Sequence, residues 1–127
     1  MLEVGINLMH ITPEDFGKRA DYMLRAFLKK HPEKPILLLT VFPSIMRTSL
    51  RLEPLKENRD KLFCGILRKL YAKYSGKGNL HLVEGDEILD DTACLSADIL
   101  HPKTFGHAVM GLNLAEKLRP LLARAKK

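Results

Sequence analysis

Apolar residues recur at two periods along the chain, and the period switches wherever turn-forming residues cluster. Leu2 to Ile6 is a short strand segment ending in Gly5-Ile6-Asn7. Thr12-Pro13-Glu14-Asp15 is a helix start: a hydroxyl to cap, a proline whose missing N–H is not needed there, and two carboxylates at the positive end of the dipole. Phe16, Ala20, Met23, Leu24, Phe27 and Leu28 then follow at helical spacing until His31-Pro32 ends the run. Pro35-Ile36-Leu37-Leu38-Leu39-Thr40-Val41-Phe42-Pro43 is a compact apolar run between prolines and predicts a strand buried on both faces. Ser44 to Leu52 is a polar loop. Pro54 opens a second predicted helix carrying Leu55, Leu62, Phe63, Ile66, Leu67, Leu70 and Tyr74. Ser75-Gly76-Lys77-Gly78-Asn79 breaks it, and Leu80 to Glu84 is a third strand. Gly85 to Ala97 is mostly loop, with one helical turn at Glu87 to Leu89. Thr104 caps a last helix reaching Lys126, whose expected core face is Ala108, Gly111, Leu114, Ala115, Leu118, Leu121 and Leu122.

Alternation of strand and helix predicts right-handed crossovers, and so an α/β fold with a parallel sheet covered by helices on both faces. The loops at the carboxyl ends of the strands are where such folds place their chemistry. Asn7, Ser44 and the Asp98 to His101 loop are expected to converge there. No internal repeat or linker divides residues 1–127, so a single domain is expected.

Composition narrows the function classes. The 127 residues, 46% hydrophobic and 28% charged, suit one soluble globular domain. No apolar run approaches the roughly 18 residues of a membrane span. The net charge of +6 invites a nucleic-acid reading. The basic residues, however, are scattered over helix faces among acidic ones, without interleaved aromatic platforms, so no nucleic-acid partner is expected. Cys64 and Cys94 have neither CxxC nor metal-ligand spacing, and two buried reduced thiols are expected. Asp86, Glu87, Asp90 and Asp91 read as a solvated loop, and no metal or other cofactor is expected. The chain lacks a signal-peptide pattern and as it stands reads as cytoplasmic.

Asp98 precedes His101-Pro102 by three residues, a spacing that can set a carboxylate against an imidazole on one short loop. That arrangement orients a general base and stabilises its charged form. His10, just beyond Asn7, and Ser44, after the second strand, are further pocket candidates. Ser96 is expected to hydrogen-bond within the Asp98 segment, and His107 to face solvent.

Asp98-Ile99-Leu100-His101-Pro102 together with Gly5-Ile6-Asn7 resembles two of the four sequence blocks of the SGNH or GDSL hydrolase superfamily of esterases and lipases. The intervening Thr-Pro-Glu-Asp helix, Phe42-Pro43 loop, Leu95-Ser96-Ala97-Asp98 segment, Gly106 and Asn113 fit the same family. The resemblance implies a flavodoxin-like three-layer α/β/α sandwich and metal-free hydrolysis of small-molecule acyl esters by a Ser-His-Asp triad. It implies that Asp98 and His101 are catalytic and that Gly5 and Asn7 contribute to the oxyanion hole. The family's Gly-Asp-Ser-like nucleophile block and second oxyanion-hole glycine have no counterpart here. The expectation is therefore a domain truncated at its N-terminus, three strands and three main helices remaining, with Met1 an internal start and any leader lost with the missing part. Such a chain is expected to be inactive alone. Its uncovered sheet edge offers a route to self-association and hence an alternative, non-catalytic role. A nucleotide-binding flavodoxin-like domain is disfavoured, since there is no Gly-rich phosphate loop.

Overall fold

The computed structural model describes residues 1–45 and 58–124, which fall into two compact units. The first comprises residues 1–41 and 59–83, the second the described parts of 42–58 and 84–127. The architecture is α/β: three helices and one three-stranded parallel sheet.

In the first unit the strands β1 (Leu2–Glu3), β2 (Ile36–Leu39) and β3 (Leu80–Val83) lie in the order β1-β2-β3. Leu38 faces Leu2 on one side and Leu82 on the other. The connecting helices are α1 (Pro13–Lys30) and α2 (Arg59–Tyr74). Two right-handed crossovers that advance in the same direction put both helices on one face of a sheet. The packing agrees: Phe16, Ala20, Leu24, Leu28, Phe63, Leu67 and Leu70 of the helices form one buried cluster with Ile36, Leu38 and Leu80. Phe16 and Phe63 stack at its centre, rings parallel and centroids 3.9 Å apart. A stacked pair of this kind contributes about 0.5–1.5 kcal/mol beyond its burial. Leu37 and Leu39 alternate to the other face and are also buried, as a strand apolar at every position requires.

The ends of α1 are where local chemistry predicts them. The Thr12 hydroxyl accepts from the Asp15 amide at 3.2 Å, and His31 closes the helix with its own amide on the Phe27 carbonyl. Phe27 and Leu62, expected in the core from their spacing, are instead 39% and 38% exposed at the margins of their helices. The predicted start at Pro54, with Leu55, lies outside the described residues. The Arg59 guanidinium ties the start of α2 to the carbonyls of Met9 and Ile11.

The second unit is built on α3 (Thr104–Arg124), with short 3-10 turns at Gly85–Glu87 and Thr92–Cys94. Thr104 is the first residue of the helix rather than its cap. The expected core face of α3 needs correction. Ala108, Gly111, Ala115 and Leu122 are exposed. The helix is instead seated by Gly106, which is buried, and by Val109 and Met110, which pack with Leu89, Cys94, Leu95, Phe42 and Ile99. Two polar contacts select this face: the Asn113 amide donates to the Ile88 carbonyl at 3.1 Å, and Lys117 pairs with Glu87. Both cysteines are buried free thiols. No helix among the described residues is long and apolar enough to cross a membrane.

Candidate active site

The Asp98–His101 loop belongs to the second unit. Leu95 and Pro102 form an antiparallel bridge at its base, and the Lys103 amide donates to the Cys94 carbonyl at 3.0 Å. Gly106 makes this closure possible: a Cβ there would lie 2.1 Å from the Cys94 carbonyl oxygen. Only a residue without one lets α3 start so close to the loop.

Within the loop Asp98 is the organising group. Its Oδ1 accepts from the amides of Leu100 at 2.9 Å and His101 at 3.0 Å, the local side-chain-to-backbone turn that aspartate favours. The Ser96 hydroxyl lies 3.0 Å from the same oxygen and 2.6 Å from the His101 carbonyl, so its single proton is shared between two acceptors. Asp98 Oδ2 meets His101 Nδ1 at 2.6 Å. The imidazole hydrogen bond, followed by the two backbone amides, holds the Asp98 carboxyl well below the usual carboxylate range. An ionised Asp98 can only accept, so Nδ1 carries the shared proton, and in the neutral imidazole the lone pair is on Nε2; the His101 side chain is 74% exposed. Chemically this is an oriented base with an open face.

Ile99, between the two partners, has φ 50°. A β-branched residue in the left-handed region is an outlier that the surroundings must over-determine. Here the Ile99 side chain packs on the cluster of Leu89, Cys94 and Leu95, its amide donates to the Ser96 carbonyl, and its carbonyl accepts from the Ile45 amide. Nothing in the sequence announces this conformation. Ser96 was legible as a loop hydrogen-bonder from its place two residues before Asp98.

The other predicted residues fall as follows. In the first unit, β1 ends at Glu3 rather than Ile6, and Gly5 leads into a 3-10 turn at Ile6–Leu8 that carries Asn7 on its exposed side. Gly5 is buried with φ 144°, and an added Cβ would come within 2.4 Å of Val41 Cγ2. His10 is exposed. In the second unit Ser44 is buried, 2% exposed, and the sequence around it lacks the Gly-x-Ser-x-Gly pattern. Asp98 and His101 are the predicted pair that the fold brings into direct contact.

Comparison with known proteins found no matching family model, no matching curated protein and no matching solved structure. The chemistry of the chain therefore rests on its own residues. One buried carboxylate escaped the sequence reading: Asp60, 1% exposed in the first turn of α2, with Cys64 Sγ 4.0 Å away. Its signal was an acidic residue at a helix start, which equally describes any solvated one. Among the described residues no group of three or more His, Cys, Asp or Glu is placed to hold a metal ion.

Proposed function

We propose that the Asp98–His101 pair is the base half of an acyl-ester hydrolase site of the SGNH type, in a three-layer α/β/α domain. The observation that carries this reading is the 2.6 Å contact of His101 Nδ1 with a carboxylate that three further donors hold in place. In such a site His101 Nε2 removes the proton from an attacking hydroxyl and returns it to the leaving alcohol. Asp98 fixes the tautomer and stabilises the imidazolium.

A base without a nucleophile does not turn over. The chain has four serines and no Gly-Asp-Ser or Gly-x-Ser-x-Gly segment around any of them. The purified chain is expected to hydrolyse short p-nitrophenyl esters no faster than free imidazole at equal concentration, and to take up no fluorophosphonate label. Nitrogen-15 shifts of His101 are expected to report the Nδ1–H tautomer, lost in Asp98→Asn. Hydrolysis that disappears in His101→Ala yet survives replacement of Ser44, Ser49, Ser75 and Ser96 would rule out a serine mechanism. A tautomer unaffected by Asp98→Asn would remove the dyad itself.

A second, non-catalytic reading is favoured by the edge strand. Glu3 Oε1 on β1 is buried with no hydrogen-bond partner among the described residues, and a chain pairing along that edge could supply a donor.

A further inference from the structure

Among the described residues, Ile99 is the one non-glycine residue with a positive φ, 50°, and it stands between the two members of the dyad. The left-handed region is costly for a β-branched side chain, whereas glycine enters it without penalty. A glycine here would remove the strain. What the isoleucine adds must therefore lie in its side chain.

The connections of the loop show what that is. The Asp98 and His101 side chains are 49% and 74% exposed and offer the core little to hold. Ile99 is half-buried and packs on the cluster of Leu89, Cys94 and Leu95, which also receives Val109 and Met110 of α3. Its amide closes a turn on the Ser96 carbonyl at 2.9 Å, and its carbonyl accepts from the Ile45 amide at 2.7 Å. The loop, the segment after β2 and the apolar core thus all attach at this one residue. Directly after it the chain doubles back, and the Leu100 and His101 amides reach Asp98 Oδ1 at 2.9 and 3.0 Å. A negative φ at residue 99 would swing the next peptide away and withdraw both donors from that oxygen.

We propose that Ile99 is a positioning residue for the dyad: its side chain is a peg whose seat in the apolar cluster holds the left-handed turn, and the turn sets Asp98 Oδ2 against His101 Nδ1 at 2.6 Å. The proposal rests on the dyad being the reactive pair, and it names what keeps that pair assembled while it stands open to solvent. The Asp98 charge gathers its donors, and Ile99 holds the turn from which two of them come. Conformation and anchorage can be separated by substitution. Ile99→Gly permits the turn but removes the peg, leaving the backbone free to cross to negative φ. Ile99→Val keeps the branch at Cβ and most of the packing.

Nitrogen-15 NMR of the full chain tests this through the His101 tautomer and the hydrogen exchange of the Leu100 and His101 amides. Wild type is expected to show the Nδ1–H tautomer and slowed exchange at both amides. In Ile99→Gly their exchange is expected to rise at least about tenfold, with the Val109 and Met110 amides of α3 still protected. The Nδ1–H population should fall toward that of Asp98→Asn, and Ile99→Val should stay close to wild type. Strain relief and lost packing oppose each other in global stability, so the local readouts decide. If Ile99→Gly does not fold, Ile99→Ala is read in its place by the same measurements. Wild-type exchange and tautomer in the peg-less chain overturn the proposal, the polar contacts of Asp98 then sufficing. Equal loss of protection in α3 also overturns it, since Ile99 is then a general core residue. A wild-type chain without the Nδ1–H tautomer instead removes the dyad, a failure visible before any change at residue 99.

Discussion

The turn after β1, in the first unit, and the loop before α3, in the second, are held by opposite physics. Gly5 to Leu8 is fixed by packing: a buried glycine at φ 144° lies against Val41, and the Leu8 amide closes the turn on the Gly5 carbonyl. Ser96 to His101 is fixed by a solvated charge: four donors converge on the Asp98 carboxylate, whose side chain is 49% exposed. The first loop is part of the core and should transmit any change to global stability. The second is a local device, which should lose its chemistry before the fold notices.

The largest expected effect tests the first half of that contrast. Gly5→Ala must place a Cβ 2.4 Å from Val41 Cγ2 while keeping a φ that L-residues rarely adopt. Backbone strain and overpacking together should destabilise the chain by about 3 kcal/mol in denaturant unfolding. A loss well under 1 kcal/mol would show that the turn is not held by packing. Gly106→Ala sharpens the comparison, because its Cβ meets the Cys94 carbonyl without a φ penalty. A smaller loss, about 2 kcal/mol, is expected, together with disturbed His101 resonances, since Cys94 anchors the base of the dyad loop.

Asp98→Asn addresses the second half. The fold should survive it, with an unfolding midpoint shifted far less than in Gly5→Ala, while the Nδ1–H tautomer of His101 is lost. The sign of its pH dependence follows from the depressed Asp98 carboxyl. The folded state prefers the ionised form, so any stability it contributes is present above the ordinary value of 3.8 and is lost as pH falls below it toward the folded value. Wild type and Asp98→Asn should therefore converge only in strong acid. Convergence already near neutral pH would mean that the carboxylate is not held as the geometry requires.

Much of this was legible in the sequence. The Thr12 cap, the His31 stop and the proline-bounded apolar run at 35–43 each point to one local structure, and their order is enough for a parallel α/β sheet. The three-residue spacing of Asp98 and His101 was enough to expect their contact. The face of α3 was not legible. Alanine, glycine and leucine lie around most of that helix, so apolarity alone barely distinguishes its sides. Two polar residues decided the matter, Asn113 finding the Ile88 carbonyl and Lys117 finding Glu87. A reading that assigns polar side chains to solvent puts both on the wrong side. Ile99 was illegible for the opposite reason, since its residue type argues against the φ it adopts.

Glu3 supplies the smallest effect and a second, independent sign. Desolvation raises its carboxyl above the ordinary 4.5, and Oε1 finds no partner among the described residues. The folded state here prefers the protonated form, so the wild-type chain bears a penalty that sets in as pH rises through the raised value. Glu3→Met keeps the length of the side chain and removes the charge, and should stabilise the fold at neutral pH by about 1 kcal/mol. On acidification that gain should begin to close above pH 4.5, while the loss in Asp98→Asn persists below that point. Two carboxylates then titrate against stability with opposite signs in separate windows. Paired unfolding curves from pH 7 down to strong acid read both, and a Glu3→Met gain that does not change with pH would show that the buried charge is not its source.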